Sequence, residues 1–243
     1  MLASLKSATK RLLNQCGLDV RRTDPDEWGR DPFQDMARLL TTTSQSQSGV
    51  VFDVGANEGQ TIRRYRSVFP EATIHAFEPG QVAYQRLTEQ FASMPKVILN
   101  HCALGSEPGS KLFHENEMTD MSSFLATGRE GWGATRRDIE VNVETLDRYC
   151  RDHSLATIDI LKSDTQGYDL EVLRGASTML TEGRIRLVYL EITFLELYVG
   201  MPGPDEIYRL LSNAGYQLVS FYRFHYKNRR AGWSDALFAH KTV

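Results

Sequence analysis

The 243-residue chain has few cysteines and no long hydrophobic run. Its three cysteines, Cys16, Cys102 and Cys150, are odd in number and form no C-x-x-C pair, which argues against a disulfide framework. We therefore expect a reducing compartment and a cytoplasmic location. No stretch approaches the ~20 apolar residues that cross a bilayer, because Glu191 and Glu196 interrupt the most apolar segment. The sequence thus predicts neither a disulfide-stabilised scaffold nor an integral membrane protein.

The chain also lacks an excess of positive charge. It has 28 basic and 31 acidic residues and a net charge of −3, which gives no global reason to expect a nucleic-acid partner. Its six histidines are scattered without the spacing of metal ligands, so we expect no metal site. The length allows one α/β core with an appended segment, and no second large domain is needed.

A short apolar run at residues 50–59 ends in an acidic residue and two glycines. The acidic residue is Asp53, and Gly55 and Gly59 flank Asn57. A pyrophosphate-binding turn usually has three glycines, because its backbone must approach the phosphates closely. S-adenosylmethionine has no phosphate and carries an ammonium and a sulfonium, so a carboxylate beside a two-glycine turn suits its charge. The loop predicts this cofactor over a dinucleotide, and a purely structural turn is the alternative.

Glu78 ends a second short apolar run, residues 73–77, and follows Asp53 by 25 positions (78 − 53). In nucleotide-binding βαβ units, an acidic residue about 20 positions beyond the glycine turn accepts hydrogen bonds from the ribose hydroxyls. The apolar spacing of residues 61–69 predicts the crossover helix between the two strands. Glu78 is therefore a candidate ribose ligand, and its alternative role is a solvated loop carboxylate before Pro79.

Strands and helices alternate along the rest of the chain. Apolar runs predict strands at residues 97–104, 158–162 and 187–192. Helical spacing predicts helices at residues 82–91, 146–151, 170–180 and 205–214. After Gly215, two further strands at residues 217–221 and 236–240 are joined by a connection too short for another long helix, so we expect them to be antiparallel. The alternation predicts an α/β fold with a mostly parallel sheet covered on both faces.

Five motifs in series give the chain a family resemblance. They are residues 52–59 (FDVGANEG), 76–79 (AFEP), 161–167 (LKSDTQG), 170–176 (LEVLRGA) and 190–192 (LEI). In this order they resemble the FkbM family of S-adenosylmethionine-dependent methyltransferases, from about residue 50 to the C-terminus. The resemblance implies S-adenosyl-L-methionine as cofactor and a Rossmann-like class I methyltransferase fold, with a seven-stranded mostly parallel sheet, an antiparallel C-terminal hairpin and a helical N-terminal arm.

The third motif departs from the family pattern, which usually reads Lys-Ile-Asp-x-Glu-Gly. Ser163 stands in place of the isoleucine and Gln166 in place of the glutamate, whereas Lys162, Asp164 and Gly167 are retained. One carboxylate is thereby lost, so a role that depends on the family's glutamate cannot be carried over to this chain.

We divide the chain into an N-terminal helical arm and linker at residues 1–49 and a methyltransferase domain at residues 50–243. Residues 1–22 combine a leucine stripe with lysines and arginines, and residues 41–49 form a polar linker. A basic amphipathic helix can bind an anionic membrane surface, which makes peripheral membrane contact one expectation for the arm. The alternative is a helix that packs on the domain or on a partner subunit of a homodimer.

Ligands of an open α/β sheet bind outside the carboxyl ends of its strands. That rule brings together Asp53, Glu78, His101, Asp164 and Glu191. From this rule and the family resemblance, we expect the cofactor to be bound by Asp53, Gly55, Asn57, Gly59, Glu78, Ser123 and Asp164.

Asp164 and His101 are the candidate catalytic residues. A hydroxyl nucleophile must lose its proton during methyl transfer, and either side chain could accept it as a general base. Asp164 is the stronger candidate because it lies in the 161–167 motif. Its alternative role is to cap the helix after Gly167. His101 is the weaker candidate, since a histidine near a strand end is commonly structural.

The long polar stretch at residues 114–137 predicts a lid over the acceptor. Trp132 within it and Trp233 nearer the C-terminus offer flat apolar faces on which a sugar ring could stack, although ordinary packing at the rim is the alternative. We expect Glu191, Gln166 and His225 to complete the acceptor-binding surface.

The sequence predicts an S-adenosylmethionine-dependent O-methyltransferase that acts on a hydroxyl of a small acceptor. The family resemblance favours a sugar of a glycolipid, polysaccharide or natural product. One alternative is an NAD-dependent oxidoreductase or sugar epimerase, which the missing third glycine and the lack of a suitable Tyr-x-x-x-Lys pair disfavour. Another is a non-catalytic protein that uses the cofactor fold for binding.

Overall fold

The computed structural model describes residues 27–41 and 49–243, together with Leu13, Gln15 and Cys16. Its strands are β1 (Val50–Val54), β2 (Thr73–Phe77), β3 (Val97–Asn100), β4 (Ala103–Leu104), β5 (Gly109–Asn116), β6 (Thr135–Glu144), β7 (Ile158–Ser163), β8 (Ile185–Thr193), β9 (Tyr216–Phe221), β10 (His225–Lys227) and β11 (Arg230–His240). Its helices are α1 (Pro32–Thr41), α2 (Gln60–Val68), α3 (Gln81–Phe91), α4 (Leu146–Asp152), α5 (Asp169–Arg174), α6 (Ser177–Thr181) and α7 (Pro204–Asn213).

The main sheet has the strand order β10-β11-β8-β7-β1-β2-β3. The five strands from β8 to β3 are parallel to one another, and β11 is antiparallel to β8. β9 and β10 both pair with β11, also antiparallel. This mostly parallel sheet with antiparallel C-terminal strands confirms the Rossmann-like class I methyltransferase fold. The strand order reverses between β1 and β7, and ligands of such sheets bind at this switch point.

Two apolar clusters cover the two faces of the main sheet. On β1, Phe52 belongs to one cluster and Val51 to the other, as the two-residue period of a strand requires. Both residues are fully buried or nearly so, because helices cover each face. This burial explains why β1, β7 and β8 read as continuous apolar runs and not as alternating ones.

Helix α1, from the expected N-terminal arm, packs against the domain. Its Phe33 and Met36 lie in the same apolar cluster as Tyr65 of α2. Its Asp35 is buried and accepts a hydrogen bond of 3.0 Å from the Tyr222 hydroxyl. The predictions for residues 1–22 and for the linker fall outside the described residues, apart from Leu13, Gln15, Cys16 and the linker's two ends.

The strand predicted at residues 97–104 is two strands in two sheets. β3 ends at Asn100, whose side-chain amide donates to the Ala76 carbonyl, and the chain then turns away from the main sheet. β4 begins at Ala103 and pairs with β6 in a separate three-stranded sheet, β4-β6-β5. Asn100 and His101 interrupt the apolar residues where the chain turns, so the single predicted strand was wrong.

Three further boundaries differ from the sequence predictions. The helix expected at residues 170–180 is two helices, α5 and α6, and Asp147 of α4 bonds to the chain between and after them. The Asp147 amide donates to the Gly175 carbonyl, and the Asp147 carboxylate accepts from the amides of Thr178 and Met179 in α6. Only the two ends of the lid predicted at residues 114–137 belong to the β5–β6 hairpin, which leaves a loop at residues 117–134. The main sheet has eight strands instead of seven, because β10 adds to the edge of β11.

No helix in the described ranges is long and apolar enough to cross a membrane.

Candidate active site

Two glycines allow the loop after β1 to pack tightly against its neighbours. Gly55 has φ +72°, and a Cβ atom there would lie 2.0 Å from the Asp164 carbonyl oxygen. Its amide donates to the Phe77 carbonyl at 3.0 Å. Gly59 has φ +88°, and a Cβ atom there would overlap the ring of Phe91. Both positions therefore require glycine, Gly55 for close approach to the β7 loop and Gly59 for entry into α2.

A cavity of about 380 Å³ lies at the carboxyl ends of β1, β2 and β7. This volume is within the range of small-molecule sites. Eight of the residues predicted for the site form part of its wall: Gly55, Asn57, Glu78, Trp132, Asp164, Gln166, Glu191 and Trp233. The switch-point rule thus predicted the edge of the sheet at which this cavity lies.

Glu78 is held by the backbone of two loops. Its Oε1 accepts from the Gly80 amide at 2.7 Å, and its Oε2 accepts from the Asn57 amide at 2.8 Å. Burial raises the pKa of Glu78 to about 7, although these two hydrogen bonds favour the ionised form. Each carboxylate oxygen keeps a second lone pair, so the side chain can still accept hydrogen bonds from a ligand.

Two buried polar atoms of the wall have no hydrogen-bond partner among the described residues. They are Asn57 Oδ1 and Thr165 Oγ1, and both residues line the cavity. Buried polar groups are normally paired, so unpaired atoms in a cavity wall indicate a polar ligand. Together with the free lone pairs of Glu78, they fit a nucleoside with hydroxyl and amino groups.

Lys162 connects the first loop to the loop after β7. Its ammonium lies 3.0 Å from Asp53 Oδ1 and 3.7 Å from Asp164 Oδ2, and it donates to the Gly55 carbonyl at 2.9 Å. Burial lowers the pKa of Lys162, but the charges of Asp53 and Asp164 outweigh it and raise that pKa. The lysine is therefore charged, although its side chain is only 7% exposed.

Asp53 does not form part of the cavity wall. It is fully buried within β1, below the loop that carries Gly55, and its carboxylate faces Lys162. Burial raises the pKa of Asp53, and the lysine charge opposes that shift. Direct contact between Asp53 and the cofactor was therefore the wrong inference from a correctly identified motif, because the carboxylate acts on the loop through Lys162.

Asp164 presents its carboxylate to the cavity. Its side chain is 42% exposed, and its Oδ1 accepts from the Gln166 amide nitrogen at 2.8 Å. The Gln166 amide oxygen accepts in turn from the Tyr198 hydroxyl at 2.8 Å. Asp169, the first residue of α5, ties the helix to the end of β7, because its Oδ1 accepts from the Ser163 hydroxyl and the Thr165 amide. The helix-capping alternative for Asp164 is therefore not observed.

Glu191 faces the same part of the cavity from β8. Burial and the nearby charges of Asp164, Asp169 and Asp235 raise the pKa of Glu191 far above its ordinary value. Such a carboxyl group carries its proton at neutral pH and can donate a hydrogen bond. Glu191 can thus act as a hydrogen-bond donor to a ligand in the part of the cavity where Asp164 presents its carboxylate.

Two tryptophans lie at the other end of the cavity. The ring centroids of Trp132 and Trp233 are 5.4 Å apart, and both rings line the wall. His225, predicted to bind the acceptor, stacks on Trp233 with a centroid distance of 5.1 Å and does not itself form part of the wall. Its position supports the tryptophan instead of contacting a ligand directly.

Two other predicted site residues lie outside the cavity wall. His101 is exposed after β3, stacks on Tyr84 with ring centroids 4.2 Å apart and does not line the cavity in which a general base would act. Ser123 is buried, donates to the Gln166 carbonyl at 2.7 Å and accepts from the Leu125 amide. Ser123 therefore positions the loop that carries Gln166.

Sequence reasoning missed Lys162 and Thr165 as parts of the cavity wall, whereas it named Trp233 together with Trp132. A lysine inside an apolar strand was the available signal for Lys162, because such a charge requires a buried partner. Among the residues that the structure describes, no group of histidine, cysteine or acidic side chains could hold a metal ion.

Comparison with known proteins identifies the family. Residues 53–218 match the model of the Methyltransferase FkbM domain, so the chain belongs to this family. The chain is 28% identical to 2-O-methyltransferase NoeI of Sinorhizobium fredii over 174 residues, which are 67% of this chain and 71% of that protein. It is 28% identical to 31-O-demethyl-FK506 methyltransferase FkbM of Streptomyces tacrolimicus over 218 residues, 79% of this chain and 81% of that protein.

Two more matches extend the comparison. Hexuronic acid methyltransferase AglP of Haloferax volcanii is 25% identical over 182 residues, 74% of this chain and 68% of that protein. The solved structure of methyltransferase FkbM from Methylobacillus flagellatus has a TM-score of 0.52 and 16% identity over 87% of this chain. The present chain spans 48% of that solved chain, and the likeness supports the fold alone.

The chain is therefore an enzyme, a methyltransferase that uses S-adenosylmethionine, and its named relatives support transfer of the methyl group to oxygen. Family membership argues against the NAD-dependent and the non-catalytic alternatives. The residues present fit the cofactor: Glu78 and Asn57 can bind its ribose and polar groups beside the glycine loop.

We expect S-adenosylmethionine affinity to rise as the pH increases through about 7, where Glu78 loses its proton. An ionised carboxylate accepts hydrogen bonds from hydroxyls more strongly than a protonated one. Glu78→Ala should weaken binding by roughly 10-fold or more. Calorimetric titration at several pH values checks both results. Glu78→Gln, which cannot ionise, is the control, and an equally steep pH dependence in that variant would remove Glu78 from the cofactor site.

Proposed function

We propose that this enzyme methylates a hydroxyl group of a sugar, carried by a glycolipid, a polysaccharide or a natural product. The observation that carries the proposal is the division of one cavity into two chemically different ends. Asn57 and Glu78 follow β1 and β2, whereas Glu191 and Trp233 lie on β8 and β11 on the other side of β7, with Trp132 against Trp233. The exposed carboxylate of Asp164 also lines this cavity.

Methyl transfer to a hydroxyl needs alignment and a proton acceptor. When bound, S-adenosylmethionine supplies a methyl group on a sulfonium, which is already a good leaving group. In our proposal Asp164 accepts the hydroxyl proton as the new oxygen–carbon bond forms. Such general-base assistance contributes about 10²–10⁴-fold, and correct alignment supplies roughly 7–11 kcal/mol.

Gln166 fixes the direction of the Asp164 carboxylate. Its amide nitrogen donates to Asp164 Oδ1, and its own oxygen is held by Tyr198. The second Asp164 oxygen faces Lys162 at 3.7 Å, so the carboxylate has a positive neighbour that stabilises its charge. A neutral amide at position 166 adds no further negative charge between Asp164 and Glu191.

The other end of the cavity has features that suit a sugar. Tryptophan faces stack on the apolar faces of sugar rings. The Lys227 ammonium lies over the Trp132 ring, 5.3 Å from its centroid, and this cation–π contact stabilises the ring in its position. A protonated Glu191 can donate to a second hydroxyl or to a ring oxygen. The names of relatives support this acceptor class in part, since AglP is a hexuronic acid methyltransferase, whereas FkbM of Streptomyces tacrolimicus is a 31-O-demethyl-FK506 methyltransferase.

We expect the purified enzyme to release S-adenosylhomocysteine in the presence of a hexopyranoside or hexuronoside, and Trp132→Ala to raise the KM for that acceptor more than it lowers kcat. A panel of glycosides, aliphatic alcohols and catechols checks the acceptor class. Lys227→Met, which removes the cation over the ring and keeps the ring itself, is the matched control. Faster turnover of a catechol or an alcohol without a ring would contradict a sugar acceptor.

Location and assembly are also part of the proposal. The odd number of cysteines and the lack of a C-x-x-C pair favour a reducing, cytoplasmic environment. Peripheral membrane contact through residues 1–22 and formation of a homodimer remain proposals that rest on the sequence pattern of the arm.

A further inference from the structure

The hairpin tip at residues 223–230 carries an arginine where its turn favours glycine. Lys227 and Arg230 are paired across β10 and β11, so Asn228 and Arg229 form a two-residue turn. Their φ angles are +50° and +64°. Two positive φ values in succession define a type I′ turn, in which asparagine followed by glycine is the preferred pair. Arg229 therefore occupies a backbone position that glycine would suit better, which points to a use for its side chain.

The hairpin tip is a local concentration of positive charge on a chain whose net charge is −3. It contains four basic residues and no acidic one. Lys227 pairs with Glu130 at 3.5 Å. The side chains of Arg223, Arg229 and Arg230 are exposed and have no ion pair or hydrogen bond with any residue that the structure describes.

Exposed aromatic rings lie among these arginines. Tyr226 is 69% exposed, and Phe224 and Phe194 are each 39% exposed. The ring of Phe224 lies 6.4 Å from that of Tyr226 and 6.0 Å from that of Phe194. The three rings form a continuous exposed group, because Phe224 contacts both of the others. Large exposed apolar groups of this kind mark interaction surfaces.

The hairpin tip adjoins the acceptor end of the cavity. The Lys227 ammonium lies over the ring of Trp132, and His225 stacks on Trp233. Both tryptophans line the cavity. Whatever binds the hairpin tip is therefore held beside the opening through which an acceptor would enter.

We propose that the hairpin tip docks on an anionic membrane surface. Its arginines would pair with lipid phosphates, and Phe224, Tyr226 and Phe194 would enter the interfacial layer, where aromatic rings are enriched. A polynucleotide is the less suitable partner, because the arginines cluster at one tip and do not line a groove that could track a backbone. The proposal requires no particular acceptor, so it stands or falls independently of the proposed function.

The test is co-sedimentation of the full chain with phosphatidylcholine vesicles that contain or lack phosphatidylglycerol, at low and high salt. Arg229→Gly removes one charge and supplies the residue that the turn prefers, so the hairpin is retained. Lys96→Gly is the matched control, because Lys96 also has a left-handed backbone, with φ +58°, and lies before β3 at the opposite edge of the sheet.

We expect Arg229→Gly to lower affinity for the anionic vesicles by about five-fold, the effect of one basic residue near such a surface, and Lys96→Gly to leave it unchanged. Arg229→Gly should keep the melting temperature of the natural chain or exceed it, whereas Lys96→Gly also loses the exposed ion pair between Lys96 and Glu71. Phe224→Ser should reduce the binding that persists at high salt. Equal vesicle binding by Arg229→Gly and the natural chain would overturn the proposal and direct attention to residues 1–22. Equal binding to vesicles with and without phosphatidylglycerol would also overturn it. Tighter binding to single-stranded RNA than to the anionic vesicles would do the same.

Discussion

Replacing Asp164 by asparagine is expected to lower turnover by about 10²-fold or more, while affinity for S-adenosylmethionine changes little. The substitution keeps the shape of the side chain and removes its ability to accept a proton. Asparagine can still accept the hydrogen bond that Gln166 donates to Oδ1, so the loop should remain in place. Steady-state kinetics and calorimetric titration of the cofactor measure the two quantities separately.

Asp120→Asn is the matched control for this experiment. Asp120 lines the same cavity, and the substitution makes the same chemical change without touching the contacts of Lys162 and Gln166. We expect at most a change in the KM for the acceptor.

Near-normal turnover in Asp164→Asn would show that Asp164 is structural. Glu191 would then be the next candidate for the base, since it lines the cavity whereas His101 does not. Because the pKa of Glu191 is raised, a Glu191-dependent reaction would be slow at neutral pH and would accelerate as the pH rises. The pH profile of the variant therefore distinguishes the two assignments.

The sequence predicted which edge of the sheet holds the site, because that edge follows from strand order and strand ends. Gly55 and Glu78 come directly after β1 and β2, and the parallel pairing of these strands brings both residues to one cavity. Local composition was sufficient here, since apolar runs, glycines and carboxylates at strand ends are all visible in the chain. The same reasoning placed Asp164 after β7.

The sequence did not show which way a side chain points once its strand has ended. Asp53 lies within β1, one residue before its end, where it turns toward Lys162 on the neighbouring strand. His101 follows a strand that ends earlier than its apolar run suggests, and the turn carries the histidine to the surface. Both errors arise because contacts between distant segments, which no local pattern records, decide the orientation.

The three-stranded sheet was also beyond local reasoning. β5 and β6 have mixed polar and apolar residues, and most of their side chains are exposed. Their pairing is a long-range contact that positions the 117–134 loop, with Trp132, over the cavity. A polar stretch of this length reads as a loop unless the pairing partner is known.

The departure of position 166 from the family pattern has a structural consequence. A glutamate there would place a third carboxyl group near Asp164 and Glu191, whose charges already interact. Gln166 instead links Tyr198 to Asp164 through an amide that donates at one end and accepts at the other. The chain thus orients its proposed base with a neutral group, and among the residues that the structure describes only Lys162 forms an ion pair with Asp164.

Lys162→Met is expected to lower the free energy of unfolding by about 3–5 kcal/mol, the usual cost of leaving one partner of a buried ion pair uncompensated. Among the described residues, no hydrogen-bond donor other than Lys162 reaches the Asp53 carboxylate. The loss should be greatest at alkaline pH. Without the lysine, burial raises the pKa of Asp53 above its unfolded value, so the carboxyl takes up a proton as the pH falls and the penalty declines. Urea unfolding at several pH values measures this dependence.

The double variant Asp53→Asn with Lys162→Met is the control. It removes both charges, so it should recover most of the stability, although the Gly55 carbonyl still lacks its donor. Loss of less than about 1 kcal/mol in the single variant, comparable to an exposed pair, would show that Asp53 does not depend on Lys162 for its charge.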